Sequence, residues 1–452
     1  MESLKFALLT SALVSVTALA GCNNAGQTTE GRSANAQDWC VSGGPIYTAD
    51  DAQPTAQAVA IQNGVITYVG ADTGAWCADN ASKNASTIDL KGAAAYPGFT
   101  DAHGHLLGIG LREMTLNLEG TASIKDLQSR LKPVVDAHTG DGTIYGRGWI
   151  ETHWPEGRFP TRQDLDAVAP NVPVILTRAD GHAVVVNTAA LTAANITGAT
   201  KAPFGGAINL DKNGEPTGML IDNAERLVES LMPSLDLARK REAYIRGAAL
   251  YASRGWANIH SMSVDPGDVR LLNNLADSGD IKIRVYNSLD LFPSKTTQTM
   301  QRVANMKKVE NEFVTTRAVK LYADGALGSR GAALLAPYSD DQKNTGLMLL
   351  KEEQAESILD AALRNGTQIN THAIGDRAIR DLLDMYLDIA EQRGARDRRF
   401  RVEHAQHIHP EDLPRFAAQD VIASMQPYHA IDDGRWAERV IGPERIKTTY
   451  AF

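Results

Sequence analysis

The feature of this sequence that most restricts its fold is a repeated order of strand, loop and helix through its second half. Apolar runs typical of buried strands cover residues 256–262, 281–289, 318–324, 368–372, 400–404 and 421–426. Helical patterns lie between them, and those at 352–364 and 378–392 are followed by Gly366 and Gly394. Strands and helices that alternate in this way predict a parallel sheet with right-handed crossovers.

An earlier predicted strand ends in His103-Gly104-His105. An apolar run at 93–96 precedes it, and a Pro-Gly pair bends the chain at 97–98. Residues i and i+2 of an extended segment share a face, so the two imidazoles lie side by side as a chelate would require. The pair His407 and His409 has the same spacing, but a helix start follows it, and we interpret it as a loop or cap. This strand brings the count to seven, and we predict an α/β fold of the (β/α)8 TIM-barrel type without its eighth strand.

Three more candidate residues lie on predicted barrel strands. Lys320 stands between Val319 and Leu321, so strand alternation directs it away from them, and an inward lysine must find a partner or lose its charge. His372 and His404 each end a strand. Any one of these is more often an ordinary core or loop residue. Together with His103 and His105 they indicate one site, because (β/α)8 active sites lie at the carboxyl ends of strands.

The first 37 residues have the composition of an export signal and a tether. Lys5 precedes an apolar stretch at 6–20, and residues 1–22 end in Leu-Ala-Gly-Cys. This ending resembles the lipobox of bacterial lipoproteins, which implies a lipid on Cys22 and, with Asn23 next, an outer-membrane location on the periplasmic side. An ordinary cleaved signal is the alternative. Residues 23–37 are small and polar and are predicted to be flexible.

The net charge argues against one class of partner, and the cysteine content predicts a disulfide. The formal net charge is −9 without long charged runs, which argues against nucleic acid as a partner. Export would place Cys40 and Cys77 in an oxidising compartment. We therefore predict a disulfide between them, with two buried thiols as the alternative.

Two further regions surround the barrel, which is assigned to residues 93–452. Residues 38–92 contain short strands and an Asn63-Gly64 turn, and they predict part of a small N-terminal β-sandwich. Residues 106–255 are too long for one crossover and predict an inserted α/β subdomain with strands at 143–149 and 173–178 and a helix at about 224–253. Trp149, Asp180 and His182 of this insertion are candidate pocket and substrate-binding residues, although each is equally well explained as a structural turn residue.

Several long phrases make the sequence resemble the amidohydrolase superfamily, in particular its YtcJ-like metal-dependent hydrolases of the amidohydrolase 3 type. The resemblance covers about 45–452 and is carried by PGFTDAHGHLLG, FPTRQDLDAVAPNVPVILTRADGHAVVVN, KLYADGALGSR, THAIGDRA, RVEHAQ and SMQPYHA. It implies two divalent metal ions, one held by His103 and His105 and the other by His372 and His404. It also implies that Lys320 is carboxylated and bridges them. Imidazole-rich ligation suits zinc, with nickel, iron and manganese as alternatives.

The resemblance implies hydrolysis of a non-peptide carbon–nitrogen bond in a small amide by a metal-bound hydroxide. It also implies a catalytic aspartate at the end of an eighth strand. The sequence ends at Phe452 before such a strand, so we expect an incomplete barrel. We assign the proton-transfer role to no residue, and in particular not to Asp324, Asp376 or Asp432. Three functions stay open: a lipid-anchored amidohydrolase, a non-catalytic metal- or ligand-binding envelope lipoprotein, and an ester or lactone hydrolase at the same site.

Overall fold

A computed structural model describes residues 38–71, 85–140, 142–232, 234–291, 296–394 and 396–452. The predicted export signal and tether, Cys22 and Cys77 lie outside these residues. The chain divides into two compact units, Met1–Pro97 and Gly98–Phe452. Within the described residues no helix has the length and apolar character needed to cross a membrane.

The first unit contains one four-stranded sheet among its described residues, with strand order β3-β2-β1-β4. Its strands are β1 Trp39–Tyr47, β2 Thr55–Gln62, β3 Val65–Gly70 and β4 Ser86–Asp89. The predicted turn joins β2 to β3, and Asn63 and Gly64 both have positive φ, 49° and 76°, as a two-residue hairpin turn requires. Cys40 is buried and disulfide-bonded. The sandwich and the pairing with Cys77 stay predictions.

The second unit is built on a nearly closed barrel of seven parallel strands. These strands lie side by side in the order in which they occur along the chain. These strands are β5 Phe99–Gly104, β12 Trp256–Val264, β13 Arg284–Asp290, β15 Val314–Tyr322, β16 Gln368–Ala373, β17 Arg401–His404 and β18 Ile422–Ser424. A short strand, β14 Val309–Glu310, pairs antiparallel with β15. All seven predicted strands are present, which confirms the TIM-like barrel class.

Helices cover the barrel and bury the outward-facing side chains of its strands. The α-helices of this unit are α1 Leu106–Arg112, α2 Ile124–Asp136, α3 Arg162–Asp166, α4 Thr188–Ala193, α5 Leu237–Ser253, α6 Val269–Asp277, α7 Thr296–Asn305, α8 Glu352–Arg364, α9 Asp376–Arg393, α10 Leu413–Ala418, α11 Pro427–Asp432 and α12 Gly434–Ile441. Val319 and Leu321 of β15 pack in one apolar cluster with Ile358 of α8 and Leu382 of α9. The predicted alternation around Lys320 is therefore observed.

The strand that carries the first histidine pair begins later than the apolar run suggested. β5 starts at Phe99, whereas the run at 93–96 precedes the bend and Tyr96 is 55% exposed and stacks on Tyr47. Pro97 cannot donate a ladder hydrogen bond, and it separates the run from the strand.

The residues predicted as an inserted subdomain form a six-stranded sheet with order β10-β11-β9-β8-β7-β6. Its strands are β6 Leu116–Asn117, β7 Ile144–Trp149, β8 Val174–Arg178, β9 Ala183–Val186, β10 Gly206–Leu210 and β11 Pro216–Asp222. The single helix predicted at 224–253 is wrong, because a 3₁₀ helix at Asn223–Leu231 and the separate helix α5 occupy this range. Pro233 stands between them in the sequence, and proline removes the backbone donor that a continuous helix needs. Two shorter 3₁₀ helices lie at Pro266–Asp268 and Arg445–Thr448.

Helices α1 and α5 approach closely through two glycines. A Cβ on Gly110 would overlap the backbone carbonyl of Ala243, and a Cβ on Gly247 would lie 2.6 Å from the backbone oxygen of Leu106. Because α1 begins directly after His105, this contact fixes the backbone that carries that imidazole.

We expect Gly110→Ala to lower the free energy of unfolding by about 1–3 kcal/mol, because the added methyl group forces the two helices apart. Urea denaturation followed by circular dichroism measures this change. The matched control is Gly434→Ala, an exposed helix-start position where an added Cβ meets nothing within 4 Å. Equal stability of the two variants would contradict the close packing of α1 on α5.

Candidate metal centre

A cavity of about 640 Å³ lies at the carboxyl ends of the barrel strands, and loops of the inserted subdomain contribute to its wall. Its lining includes all five residues that the sequence indicated as one site: His103, His105, Lys320, His372 and His404. Four of them lie on β5, β15, β16 and β17, and His105 follows β5 directly, so residues about three hundred positions apart in sequence meet here. The parallel order of the strands places their carboxyl ends at one rim, and this arrangement brings the side chains together.

The four imidazoles form a continuous group. Ring centres lie 5.4 Å apart for His103 and His105, 4.4 Å for His103 and His404, and 4.6 Å for His372 and His404. Lys320 is only 1% exposed, and its Nζ lies 5.1 Å from the ring centre of Tyr322.

Protein oxygens fix the tautomers of three of these rings. His103 Nδ1 lies 2.6 Å from a carboxylate oxygen of Glu403, and His404 Nδ1 lies 2.7 Å from the amide oxygen of Gln426. His372 Nε2 lies 3.1 Å from the carbonyl oxygen of Gly325. Each oxygen can only accept, so each of these ring nitrogens donates its hydrogen and leaves the other nitrogen of that ring with a free lone pair.

Burial keeps the four imidazoles uncharged at neutral pH. It lowers the pKa of His105 to about 3, with the Lys320 charge as the next cause. Burial is also the main reason that the pKa values of His103, His372 and His404 lie well below the ordinary value. Burial lowers the pKa of Lys320 to about 8. Neutral imidazole is the form that ligates metal ions.

A buried ion pair between Arg401 and Glu403 holds the Nδ1 side of the His103 ring. Arg401 Nε donates to Glu403 Oε1 at 2.7 Å, and the other carboxylate oxygen of Glu403 accepts from His103. The same guanidinium donates to the carbonyl of Ala102 at 2.9 Å and lies 2.8 Å from Nδ1 of His260. Arg401 and Glu403 are 5% and 0% exposed, so this network is enclosed by the barrel.

Backbone geometry directs His404 into the cavity. Arg401 and Glu403 face the barrel interior, and Val402 packs against the helices, so regular alternation would direct His404 toward the helices as well. The chain instead takes positive φ at His404 and Ala405, 75° and 45°. Such strain in residues other than glycine is typical of functional sites.

Two observations test whether this site fits a divalent metal ion. His103 Nε2 is buried and has no hydrogen-bond partner among the described residues, as expected for a nitrogen reserved for a ligand. The neighbouring donors are neutral imidazoles, which bind zinc and related ions. The described residues contain no group of three His, Cys, Asp or Glu side chains already disposed around a single ion. The donor chemistry therefore fits, and the structure shows adjacent imidazoles rather than a closed coordination sphere.

The three candidate substrate-binding residues separate in the structure. Asp180 and His182 line the cavity; Asp180 pairs with Arg178, and His182 Nδ1 lies 2.7 Å from Asp222. Trp149 does not belong to the cavity lining. Its side chain is fully buried in the core of the inserted subdomain, and its Nε1 donates to the carbonyl of Leu176 at 2.8 Å. As the final residue of a buried strand, it packs inward against that core.

The aspartates left without a role also differ in position. Asp324 is fully buried outside the cavity lining and accepts from the backbone nitrogens of Ala333, Ile374 and Gly375. Asp432 lines the cavity and lies 3.1 Å from His153 Nε2.

Sequence reasoning missed several residues of this site. Among those that line the cavity or hold its imidazoles are Arg147, Arg401, Glu403, Gln426, His429 and Asp433. The sequence of β17 contained a signal for two of them, because charged residues on either side of Val402 in a buried strand imply an inward ion pair. Two signals for Gln426 and His429 were also present, because Gln426 ends the predicted strand at 421–426 and both residues belong to the phrase SMQPYHA, but neither was assigned a role.

The fold and the site together define the protein as a TIM-like barrel with a candidate metal centre at the carboxyl ends of its strands. A model of the amidohydrolase family matches residues 86–452, which is more than half of the chain. The chain therefore belongs to the amidohydrolase family. Membership in this family indicates that a divalent metal ion takes part in its chemistry and that the protein is an enzyme.

Three curated relatives extend this comparison. The chain is 33% identical to Protein LONG AFTER FAR-RED 3 of Arabidopsis thaliana over 92% of its own length and 72% of the relative. It is 31% identical to the putative amidohydrolase YtcJ of Bacillus subtilis (strain 168), covering 91% and 77%. It is 27% identical to the N-substituted formamide deformylase of Arthrobacter pascens, covering 82% and 69%.

Among solved structures, an uncharacterized metal-dependent hydrolase from Pyrococcus horikoshii OT3 is similar in fold. The TM-score is 0.70 at 27% identity, and the alignment covers 92% of this chain and 79% of the other.

We expect His103→Ala to reduce bound divalent metal by about one equivalent per chain, because it removes the nitrogen that Glu403 orients. Elemental analysis of protein loaded with zinc and then desalted measures the stoichiometry. His138→Ala is the control, because this partly exposed histidine does not line the cavity. Identical stoichiometry in both variants would count against the ligand assignment.

Proposed function

We propose that this protein is a hydrolase that cleaves the carbon–nitrogen bond of small non-peptide amides in the cavity at the barrel rim. The observation that carries the proposal is the convergence of four buried, neutral imidazoles and one buried lysine. Family membership and the relatives named as an amidohydrolase and a formamide deformylase support carbon–nitrogen hydrolysis.

In this proposal His103 and His105 would hold one divalent metal ion, and His372 and His404 a second, with zinc as the best match to imidazole donors. Lys320 would bridge the two as a carbamate. The lysine ammonium would first lose a proton, and the resulting amine would form a bond to the carbon of carbon dioxide and release a second proton, so a buried cation would become an anion with two oxygens. The metal ions supply a water of lowered pKa and polarise the substrate carbonyl.

The chain's own groups keep the site in one arrangement. Glu403 and Gln426 hold the His103 and His404 rings by accepting their Nδ1 hydrogens. Asp222 holds His182, whose ring centre lies 4.9 Å from that of His372. The cavity wall that carries Asp180 and His182 comes from the inserted subdomain, and loops of this kind select the substrate while the barrel carries the shared chemistry.

We expect the zinc-loaded protein to release amines from a panel of N-formyl and N-acetyl amides, and we expect Lys320→Gln to reduce kcat/KM at least about 100-fold, because the bridging group is lost. Amine release is followed by chromatography before and after chelation and reloading. Lys343→Gln, an exposed lysine, is the control.

Two outcomes would contradict this proposal. Bound metal without hydrolysis of any amide would favour the non-catalytic binding protein. Hydrolysis of matched esters or lactones alone would favour the ester or lactone hydrolase.

We further propose that the protein is exported and anchored by a lipid on Cys22 at the periplasmic face of the outer membrane. The lipobox-like residues 19–22 support this location. Expressed in a bacterial host with labelled palmitate, the unaltered chain should carry label and sediment with membranes, and Cys22→Ala should lose both properties. Membrane sedimentation of the unaltered chain without label would contradict lipid anchoring.

A further inference from the structure

The inserted subdomain places the Arg147 cation in the cavity without a counter-ion among the residues that the structure describes. Arg147 lies on β7 and its side chain is half-buried in the cavity lining. Its guanidinium forms neither an ion pair nor a hydrogen bond with any other described residue, although its backbone oxygen accepts from the nitrogen of Leu118. An arginine that is removed from bulk water and left unpaired has a free set of N–H donors.

Two glycines leave room for this guanidinium. A Cβ on Gly181 would lie 3.0 Å from Arg147 Nη2, and a Cβ on Gly108 would lie 3.4 Å from Nη1. Gly181 precedes His182, and Gly108 is three residues after His105. The guanidinium therefore lies between the backbone of α1 and the loop that carries His182, beside the imidazole group.

The carboxylates of the cavity do not supply the missing charge. Asp180 is paired with Arg178, Asp432 contacts His153, and Asp433 accepts from Gln406 at 3.0 Å. Each of these acidic side chains has a partner other than Arg147.

The adjacent Glu225 is the other nearby carboxyl group. It forms no ion pair with Arg147 among the described residues, and burial raises its pKa well above the ordinary value, although the Arg147 charge acts in the opposite direction. No carboxylate of the described residues therefore forms an ion pair with the Arg147 guanidinium.

We propose that Arg147 binds an anionic group on the amide substrate and that this group is a carboxylate. This inference rests on the proposed function and narrows its substrate class to amides that carry a negative charge. A guanidinium binds a carboxylate through two parallel N–H donors, which fixes orientation as well as charge. Its position beside His105 would hold the charged end of the substrate while the amide lies at the imidazoles.

Matched ligands test this proposal. The 2-, 3- and 4-formamidobenzoates are compared with the corresponding formamidobenzamides, which have nearly the same shape without the charge. Binding of each to the zinc-loaded protein is measured by isothermal titration calorimetry, and formate release is measured separately.

We expect the unaltered protein to bind at least one formamidobenzoate about 10- to 100-fold more tightly than its benzamide. Arg147→Gln should remove this preference by weakening benzoate binding more than benzamide binding, and Arg147→Lys should restore part of it, because lysine keeps the charge without the bidentate geometry. Arg439→Gln, an exposed arginine outside the cavity lining, controls for net charge.

The outcomes separate this inference from the proposed function. Formamidobenzamides and formamidobenzoates that bind equally, or a preference that survives in Arg147→Gln, would overturn the anion site even if both are hydrolysed. Preferential binding of the anions without hydrolysis of either series would support the anion site and overturn the proposed function. If Arg147→Gln fails to fold and Glu225→Gln in the same chain restores folding, Arg147 serves Glu225 and the inference fails.

Discussion

The buried ion pair between Arg401 and Glu403 is the interaction on which the arrangement of this site depends. The Arg401 guanidinium contacts a backbone oxygen of β5, His260 of β12 and Ser424 of β18, so a single side chain connects four barrel strands, including both edge strands. Glu403 uses its second oxygen to orient His103. Removing one partner of such a pair costs about 3–5 kcal/mol, because the other charge is left buried and unpaired. The same residues therefore support the nearly closed barrel and its first candidate ligand.

Burial links the fold to the chemistry. The barrel buries four imidazoles away from water. Burial lowers their pKa values, so the rings stay neutral and each keeps a nitrogen lone pair that can bind a metal ion. The inserted subdomain contributes a different environment on the other wall, where Arg178 is paired and the Arg147 guanidinium has no ion-pair partner within the described ranges. One side of the cavity thus carries the candidate metal ligands, and the other carries the residues that we propose distinguish substrates.

Sequence periodicity predicted the seven barrel strands and the inward direction of Lys320, because alternation in a buried strand leaves little choice of face. It did not predict the inward direction of His404. This direction depends on positive φ at His404 and Ala405, and neither residue is a glycine that would have indicated such a conformation. Trp149 resembled a pocket residue because an aromatic at a strand end is equally compatible with a core, and only the packing of the inserted sheet decides between them. Glu403 was overlooked because its role depends on His103, which is distant in sequence and joined to it only by the closure of the barrel.

X-ray absorption spectroscopy at the zinc edge of the loaded protein tests the central claim most directly, because it reports the atoms that surround the ion. The account predicts a first shell of nitrogen and oxygen with the outer-shell scattering of imidazole rings, and a loss of imidazole scattering in His103→Ala and His404→Ala. A first shell without imidazole, or one unchanged in both variants, would contradict it.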